Sequence, residues 1–388
     1  MNICYINPTN NIRRPIAELA KILAKEGHKV KVLYPYNKQC PTKNWVANDI
    51  VNKDFIKGIP IKSLYFSPLR YNIPNFFQLF KEIKKIYRRN DCVHIWEYYY
   101  PLSVFPLIYS FFNKKNRSKT ILTTDGFVGY SYKPKNPWWL VPAFKIYTTF
   151  FASFLFRIPR IMTTYGVSML PSAKKAGVPM RKLKVIPTGI HLDRFEKVNV
   201  TKFKELKEEF NITDEKVILF VGMLTERKHP EIVIKISQEL LSEGYNIKTI
   251  LVGDAHGNNP YPKLIKPENK DKIIFAGGRK EIPEFLKLAD MLLLPSEGEG
   301  LPGVVMEAMA AGLPVVATKE GCTPDLIGGE KEGFLVDNGY YQKVELLLKN
   351  KDQLTGICKN SKEKIKRFSW NTISKKYMSL YFFSKTKK

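Results

Sequence analysis

Pro295-Ser296-Glu297-Gly298-Glu299-Gly300-Leu301-Pro302-Gly303-Val304-Val305-Met306-Glu307-Ala308-Met309-Ala310-Ala311-Gly312-Leu313-Pro314-Val315-Val316-Ala317 is the stretch that decides the fold. The hydrophobic run Met291 to Leu294 leads into it and reads as a buried parallel strand. A Gly/Pro-rich loop follows. Val304 to Ala311 then reads as a helix closed by Gly312, with Pro314 opening the next strand. Glu299 therefore falls in the loop at the strand's carboxyl end, and Glu307 in the first turns of the helix. The helix start points unpaired backbone N–H groups at the same space, which suits a phosphate. Carboxylates accept hydrogen bonds from hydroxyls, as on ribose or a hexose. Either glutamate alone is as readily a loop residue or a partner of the helix dipole. The whole string points to a ligand that carries both hydroxyls and phosphates, as a sugar nucleotide does.

The bulk properties narrow the class. With 388 residues the chain has room for two or three domains, and 44% hydrophobic content fits a globular protein. Met1 leads directly into the strand Asn2-Ile3-Cys4-Tyr5-Ile6, so no signal segment is expected. Cys4, Cys40, Cys92, Cys322 and Cys358 are scattered and form no C-x-x-C pair, which reads as reduced thiols of a cytoplasmic protein. There is no Asp-x-Asp motif, so a metal-bound diphosphate is not indicated. A formal net charge of +27 calls for an anionic partner: nucleic acid, a membrane surface or a small substrate. No helix-turn-helix or RNP pattern supports nucleic acid. The basic amphipathic run from Asn75 to Arg89 is equally a sheet-packing helix and a membrane contact.

Strand–helix units recur in both halves. The first has a strand at Asn2–Ile6, a helix at Ile16–Lys25 and strands at Lys29–Leu33, Cys92–Trp96, Lys119–Thr124, Arg160–Thr163 and Lys184–Ile186. The second has strands at Lys216–Val221, Lys248–Val252, Lys272–Phe275, Met291–Leu294, Pro314–Thr318 and Gly333–Val336. Such alternation predicts an α/β protein of two Rossmann-like domains, 1–195 and 196–366, facing across a cleft with ligands at the carboxyl ends of the strands. The aromatic segment 367–388 reads as a C-terminal amphipathic helix.

The string around Glu299 and Glu307 resembles the Glu-x7-Glu signature E-G-x-P-x-V-x-x-E-A-M-A-x-G-x-P-V-V-A of retaining GT-B glycosyltransferases of the family 4 type. The resemblance covers nearly the whole chain. Gly222-Met223-Leu224-Thr225-Glu226-Arg227-Lys228 is similar to the family's G-R-L-x-x-x-K, whose Arg and Lys hold the donor diphosphate. Lys228 matches, and Met223 stands in the place of the Arg, with Arg227 the nearby substitute. Val252-Gly253-Asp254 resembles the V-G-D strand end, and Phe275-Ala276-Gly277-Gly278-Arg279 the F-x-G turn that reads the nucleobase. Ile186-Pro187-Thr188-Gly189-Ile190-His191 resembles the interdomain P-N-G-I-D stretch, with Thr188 and His191 in place of Asn and Asp. In the first half, Asp91-Cys92-Val93-His94 is similar to D-V-V-H. The usual Gly-Gly loop after the first strand is replaced by Asn7-Pro8-Thr9-Asn10-Asn11-Ile12-Arg13-Arg14, where Arg13 and Arg14 could supply positive charge instead. Asp125 stands where the family has a His near the donor sugar; as a carboxylate it could orient a hydroxyl or simply cap the turn.

The resemblance implies these roles. Glu299 holds the donor sugar and stabilises its developing charge, Asp125 orients a hydroxyl, and Lys228 neutralises the leaving diphosphate. Glu307 binds ribose, the amides around Gly300 and Leu301 bind sugar hydroxyls, and Arg227, Gly222, Gly277 and Arg279 complete the donor site. No metal or other cofactor is expected; the nucleotide-sugar is a co-substrate. The C-terminal helix is expected to cross back onto the N-terminal domain.

Residues 138–156, from Trp138 to Phe156, carry one charge, Lys145. A membrane span needs roughly 20 apolar residues. Lys145 at mid-depth would cost about 3 kcal/mol, and the N-terminal sheet is unfinished at this point. The segment therefore reads as a membrane-facing interfacial helix, or as one buried beneath the domain. The expected function is transfer of a sugar from a UDP- or GDP-sugar to a lipid-linked or membrane-associated glycan, at the cytoplasmic face of an anionic membrane, with no nucleic acid involved. The alternatives are an epimerase or phosphorylase on the same fold, an inactive relative, or a basic nucleic-acid- or membrane-binding protein without catalysis.

Overall fold

The fold is described from a computed structural model over residues 1–37, 56–66, 71–131, 139–255 and 257–382, with the side chains of 351–354 outside the description. Cys40 and Trp138 lie outside the described residues. The chain divides into two units, Met1–Gly189 with Trp370–Lys388, and Ile190–Ser369. The crossing falls at Gly189 rather than at 195 because Ile190 and Phe195 are buried in the core of the second unit. Ile190 N also donates to Phe368 O at 2.9 Å, which ties the two ends of that unit together.

In the first unit the strands are β1 (Asn2–Ile6), β2 (Lys29–Tyr36), β3 (Ile56–Phe66), β4 (Tyr71–Pro74), β5 (Cys92–Trp96), β6 (Thr120–Thr123), β7 (Ile161–Thr164) and β8 (Leu183–Val185). They form one sheet in the order β4-β3-β2-β1-β5-β6-β7-β8, with only the β3–β4 pair antiparallel among the described residues. β5 and β6 are buried along their whole length, as strands covered on both faces must be. The helix Arg14–Lys25 turns Ile16, Leu19, Ala20 and Leu23 onto the sheet and has Pro15 in its first turn, where no N–H is needed. After β4 the chain returns to the other side of β1 to lay down β5. The carboxyl ends of β1 and β5 thus diverge, which is the topological switch point of the sheet.

The C-terminal helix Trp370–Phe382 belongs to this first unit. Trp370, Ile373, Tyr377 and Tyr381 are buried in the same core as β1 and the helix Arg14–Lys25. Arg160 fixes its end by donating to Leu380 O at 2.6 Å. Each fully buried side chain of this size contributes roughly 1.5–3 kcal/mol, so the helix is an integral part of the domain.

Two further helical segments of this unit keep one face out of the core. The helix Phe76–Arg89, capped by Asn75 accepting from Gln78 N, buries Leu79, Ile83, Ile86 and Tyr87 and exposes Phe76, Phe77 and Phe80. The expected interfacial segment is helical from Leu140 to Leu155, with a π-helical turn at Tyr147–Ala152. It buries Thr148, Ala152 and Leu155 and exposes Trp139, Ile146, Phe150, Phe151 and Phe154, so it is not buried beneath the domain. No helix among the described residues is long and apolar enough to cross a membrane.

The second unit contains β9 (Lys216–Val221), β10 (Ile247–Val252), β11 (Ile273–Gly277), β12 (Met291–Leu294), β13 (Val315–Thr318) and β14 (Phe334–Val336). They form a parallel sheet in the order β11-β10-β9-β12-β13-β14, and its switch point lies between β9 and β12.

Candidate functional site

At the switch point of the second unit, β9 runs into a loop and a single turn, Glu226–Lys228, ahead of the helix Pro230–Ser242. The opening of this loop is packed backbone to backbone. Gly253 has φ +147°, and a Cβ on it would lie 1.9 Å from Gly222 O. That contact explains the glycine at the end of β10. Beside it, β12 feeds the loop 295–302, which is clamped at several points. Glu297 N donates to Arg227 O at 2.8 Å, and Arg227 Nη1 donates to Glu297 O at 2.9 Å and Gly298 O at 3.2 Å. Gly298 N donates to Glu320 Oε2 at 2.7 Å, and Cys322 N to Gly300 O at 2.7 Å. Gly321 sits at φ +59° directly under Glu299, where a Cβ would meet Glu299 O at 1.8 Å.

The clamp sets Glu299 against two cations. Its carboxylate pairs with Lys228 Nζ and lies 3.3 Å from Arg227 Nη1. The side chains of Glu299 and Lys228 are only 12% and 13% exposed, so the pair is sheltered, whereas Arg227 at 44% stands at its rim. The structure thus brings Glu299, Lys228 and Arg227 together as expected. Met223 adds an exposed thioether and no charge.

The helix Gly303–Ala311 begins after Pro302, whose side chain cannot cap it, so its first amides face the loop that carries Glu299, Gly300 and Leu301. Val305, Met306, Ala308 and Met309 are buried in the core, and Glu307 is the half-buried polar position among them. Gly312 at φ +75° ends the helix. Gly277 ends β11 at φ +68°, and Gly278 N donates to Asp254 Oδ1 at 2.7 Å. Arg279 is not gathered with Lys228. Its guanidinium pairs with Glu209, donates to Ala276 O at 2.9 Å and lies 5.8 Å above the Phe210 ring.

Asp125 lies in the first unit, just past β6, one strand away from that sheet's switch point. Arg13 does not present the open positive charge expected of it. Its Nη1 bonds Glu97 and its Nη2 bonds Asp125. Glu97 Oε2 also accepts from Thr124 Oγ1 at 2.7 Å, and Oε1 from Asp125 N at 3.3 Å. Glu97 is fully buried, and burial first, then Asp125, push its carboxyl up to about 8 against the opposing charge of Arg13. It was missed in the sequence. The available signal was a charge placed directly after a wholly apolar strand end.

Two parallel-sheet domains, one carrying a clamped glutamate loop beside an uncapped helix start, define the GT-B class of nucleotide-dependent transferases. The sequence comparisons agree. The description "Glycosyl transferases group 1" matches residues 202–364, and "Glycosyltransferase Family 4" matches residues 13–194. The chain belongs to the group 1, family 4 glycosyltransferases.

Among curated relatives, the spore coat protein SA of Bacillus subtilis (strain 168) is 25% identical over 234 residues, covering 55% of this chain and 60% of that protein. The UDP-Gal:alpha-D-GlcNAc-diphosphoundecaprenol alpha-1,3-galactosyltransferase of Escherichia coli is 28% identical over 201 residues, covering 50% of this chain and 51% of that protein. The matched stretch thus spans between half and three-fifths of the length of these relatives. Among solved structures, a glycosyltransferase from Rickettsia africae ESF-5 superposes with a TM-score of 0.78 at 18% identity, covering 100% of this chain and 99% of that one. Anabaena Alr3699/HepE in complex with UDP and glucose gives 0.73 at 18% identity, covering 98% of both chains. WaaG, a glycosyltransferase involved in lipopolysaccharide biosynthesis, gives 0.69 at 16% identity, covering 98% and 99%. These likenesses show the fold.

Proposed function

We propose that this chain is a retaining, metal-independent glycosyltransferase that moves a sugar from a UDP- or GDP-sugar to a lipid-linked or membrane-associated glycan. The observation that carries the reading is the sheltered Glu299–Lys228 pair at the carboxyl end of β12, beside the helix start that bears Glu307. Lys228 pairs with Glu299. A nucleotide diphosphate would take over Lys228 and the helix amides, and this would free the Glu299 carboxylate to hold the donor sugar. Positive charge already in place where the leaving group gains negative charge is the arrangement that lowers such a barrier most. Glu307 would accept hydrogen bonds from ribose hydroxyls.

Two observations support the acceptor class. One is the E. coli relative, named for a diphosphoundecaprenol-linked substrate. The other is an aromatic and basic face of the first unit. Phe76 and Phe80 pack on Phe105, Phe80 packs on Tyr109, and Phe111 packs on Phe112 and Phe154, so the helix Pro101–Phe111 links the helix Phe76–Arg89 and the segment 140–155 into one surface. Phe77, Phe112 and Phe150 stand out from it at 92%, 80% and 75% exposure. Lys81, Lys84, Lys85, Arg88 and Arg89 follow Phe76, Phe77 and Phe80 along one of these helices. An apolar patch in a basic setting fits peripheral attachment to an anionic membrane.

The test is incorporation of label from UDP-glucose, UDP-galactose, UDP-N-acetylglucosamine and GDP-mannose into the organic extract of a membrane lipid fraction, with and without EDTA. Label should enter the lipid phase from one donor, with the anomeric configuration of that donor kept and the rate unchanged by EDTA. Isomerised donor, or release that depends on phosphate, would replace this reading with an epimerase or a phosphorylase.

A further inference from the structure

The helix Phe76–Arg89 meets β3 across a cavity of about 410 Å³ near one edge of the first sheet. Gln78, Glu82, Lys85 and Arg89 recur every three or four residues, so a single stripe of the helix lines it. Gln78 pins that stripe to the strand. Its Oε1 accepts from Lys62 N at 2.9 Å, and its Nε2 donates to Pro60 O at 3.1 Å. Ile86, 2% exposed, anchors the far end of the helix. The walls of the cavity are therefore held in place by the fold itself.

Its charge is one-sided. Lys31 from β2, Lys57 from β3, and Lys85 and Arg89 from the helix line it together with one carboxylate, Glu82. Four cations less one anion leave a surplus of three positive charges. Glu82 is already engaged by Lys85 at 2.7 Å, and among the described residues Lys31, Lys57 and Arg89 have no carboxylate partner. Lys31 and Lys57 are also register partners on neighbouring strands. Such strands lie about 4.8 Å apart, and like charges directly opposite one another destabilise the pairing. The sheet gains nothing from this arrangement unless an anion offsets it. Lys81 and Lys84, on the same helix, are exposed and lie outside the cavity, as an ordinary solvated face requires.

The arrangement selects the anion. Cations that arrive from two strands and a helix surround a point from several sides, which matches the tetrahedral oxygens of a phosphate better than a planar carboxylate. A guanidinium fork such as that of Arg89 can hold two phosphate oxygens at once. A surplus of three charges favours the dianion of a monoester over the single charge of a diester. The charge is gathered in one cavity, so it suits one group and not a polymer backbone.

We propose that Lys31, Lys57, Lys85 and Arg89 form a binding site for a phosphate monoester, distinct from the glutamate loop of the second unit. The inference goes beyond sugar transfer and does not rest on it. The phosphate is borne either by a lipid headgroup or by a soluble ester. Phe77 and Phe80, exposed on the same helix, offer a lipid the apolar contact that a soluble ester does not use.

The test compares wild type with K57Q/R89Q and with K81Q/K84Q, which removes the same charge outside the cavity. Equilibrium dialysis against labelled glycerol 3-phosphate counts the sites. Wild type binds the ester. K57Q/R89Q has one site fewer or fills it at least about tenfold more weakly, as expected for lost charged hydrogen bonds, and K81Q/K84Q matches wild type. K57Q alone melts no lower than wild type without the ester, because a like-charge contact is gone, and gains less from its addition. A second arm follows sedimentation with vesicles of phosphatidic acid or phosphatidylglycerol, matched in surface charge. A preference for phosphatidic acid that K57Q/R89Q loses and K81Q/K84Q keeps identifies a lipid headgroup as the source. Equal sedimentation with both lipids, with glycerol 3-phosphate still bound, identifies a soluble ester. Three outcomes would each overturn the proposal. Wild type binds phosphate in neither arm; K57Q/R89Q binds like wild type, as it would if the ester sat at Lys228; or the two double variants lose equally, which reduces the effect to net charge.

Discussion

The imidazole of His94 on β5 is held between two hydroxyls, with Nδ1 2.7 Å from Tyr381 Oη and Nε2 2.6 Å from Thr123 Oγ1. Tyr381 comes from the C-terminal helix, 287 residues later, and its hydroxyl also lies 3.3 Å from that of Tyr5 on β1. All of these groups are buried. The polar contact therefore fixes where the last helix sits on the first sheet, while Trp370, Ile373 and Tyr377 supply the apolar contact.

Replacing Tyr381 by Phe should cost about 1–3 kcal/mol, because a buried imidazole nitrogen is left without a partner. Urea denaturation followed by far-UV circular dichroism measures this. A loss well under 0.5 kcal/mol would mean that the contact does not hold the helix.

The same histidine sets a pH dependence. Burial holds its pKa well below the ordinary 6.5, so the folded chain keeps it neutral while the unfolded chain takes up a proton. Its contribution is present above pH 6.5 and is lost as the pH falls below that value. The urea midpoint should drop between about pH 7.5 and 5.5. His94→Gln should be less stable at the upper pH and show a flatter dependence. An equal slope in that variant would assign the acid sensitivity to other groups.

Glu307→Ala should weaken nucleotide binding by about 1.5–3 kcal/mol for each charge-assisted hydrogen bond lost to ribose. Thermal shift reads this directly, since ligand at about 100 times its dissociation constant adds roughly 2.7 kcal/mol. Donor affinity equal to wild type would remove the ribose role.

Lys228→Ala should lower kcat by about 10²–10³, the range for removal of one preorganised charge at a leaving group. Arg227 remains 3.3 Å from Glu299, so the loop should keep its place and the melting temperature should change little. Initial rates at saturating donor, set beside a melting curve, test both halves of this expectation.

Gly321→Ala should displace the glutamate loop. Its left-handed backbone alone costs an alanine about 1–2 kcal/mol, and the new methyl would meet Glu299 O at 1.8 Å. Gly329→Ala, where a Cβ meets nothing within 4 Å, is the control. The first variant should lose donor affinity and stability together, and the second should keep both.

Serine at Phe77, Phe112 and Phe150 should weaken sedimentation with anionic phosphatidylglycerol vesicles by roughly tenfold per phenyl group that enters the bilayer. Salt should weaken binding of the wild type. Equal binding by the triple variant would move the contact elsewhere on the chain.

The glutamate site was legible in the sequence because its parts are local. Met291–Leu294, Gly312 and the seven residues between Glu299 and Glu307 announce strand, loop and helix within one short window. β3 and β4 were not legible. Gly58 and Pro60 within β3 argue against a strand by composition. The proline is tolerated because β4 pairs only with Ser63–Phe66, so β3 is still an edge at residue 60. Arg13 was recognised as a charge but not as a bound one. Its partners Glu97 and Asp125 are 84 and 112 residues away, and no local pattern could join them. The left-handed backbone of Glu97 was equally hidden, since no Gly, Asn or Asp marks the position.

The discontinuity of the first unit has a consequence during synthesis. Met1–Gly189 leaves the ribosome with the groove for Trp370, Tyr377 and Tyr381 still empty. Ile190–Ser369 is contiguous and can close first, which reverses the usual N-terminal-first order. At about 5–20 residues per second, those residues take roughly 10–40 s to make. For that interval the nascent first half lacks the apolar contacts that the last helix supplies.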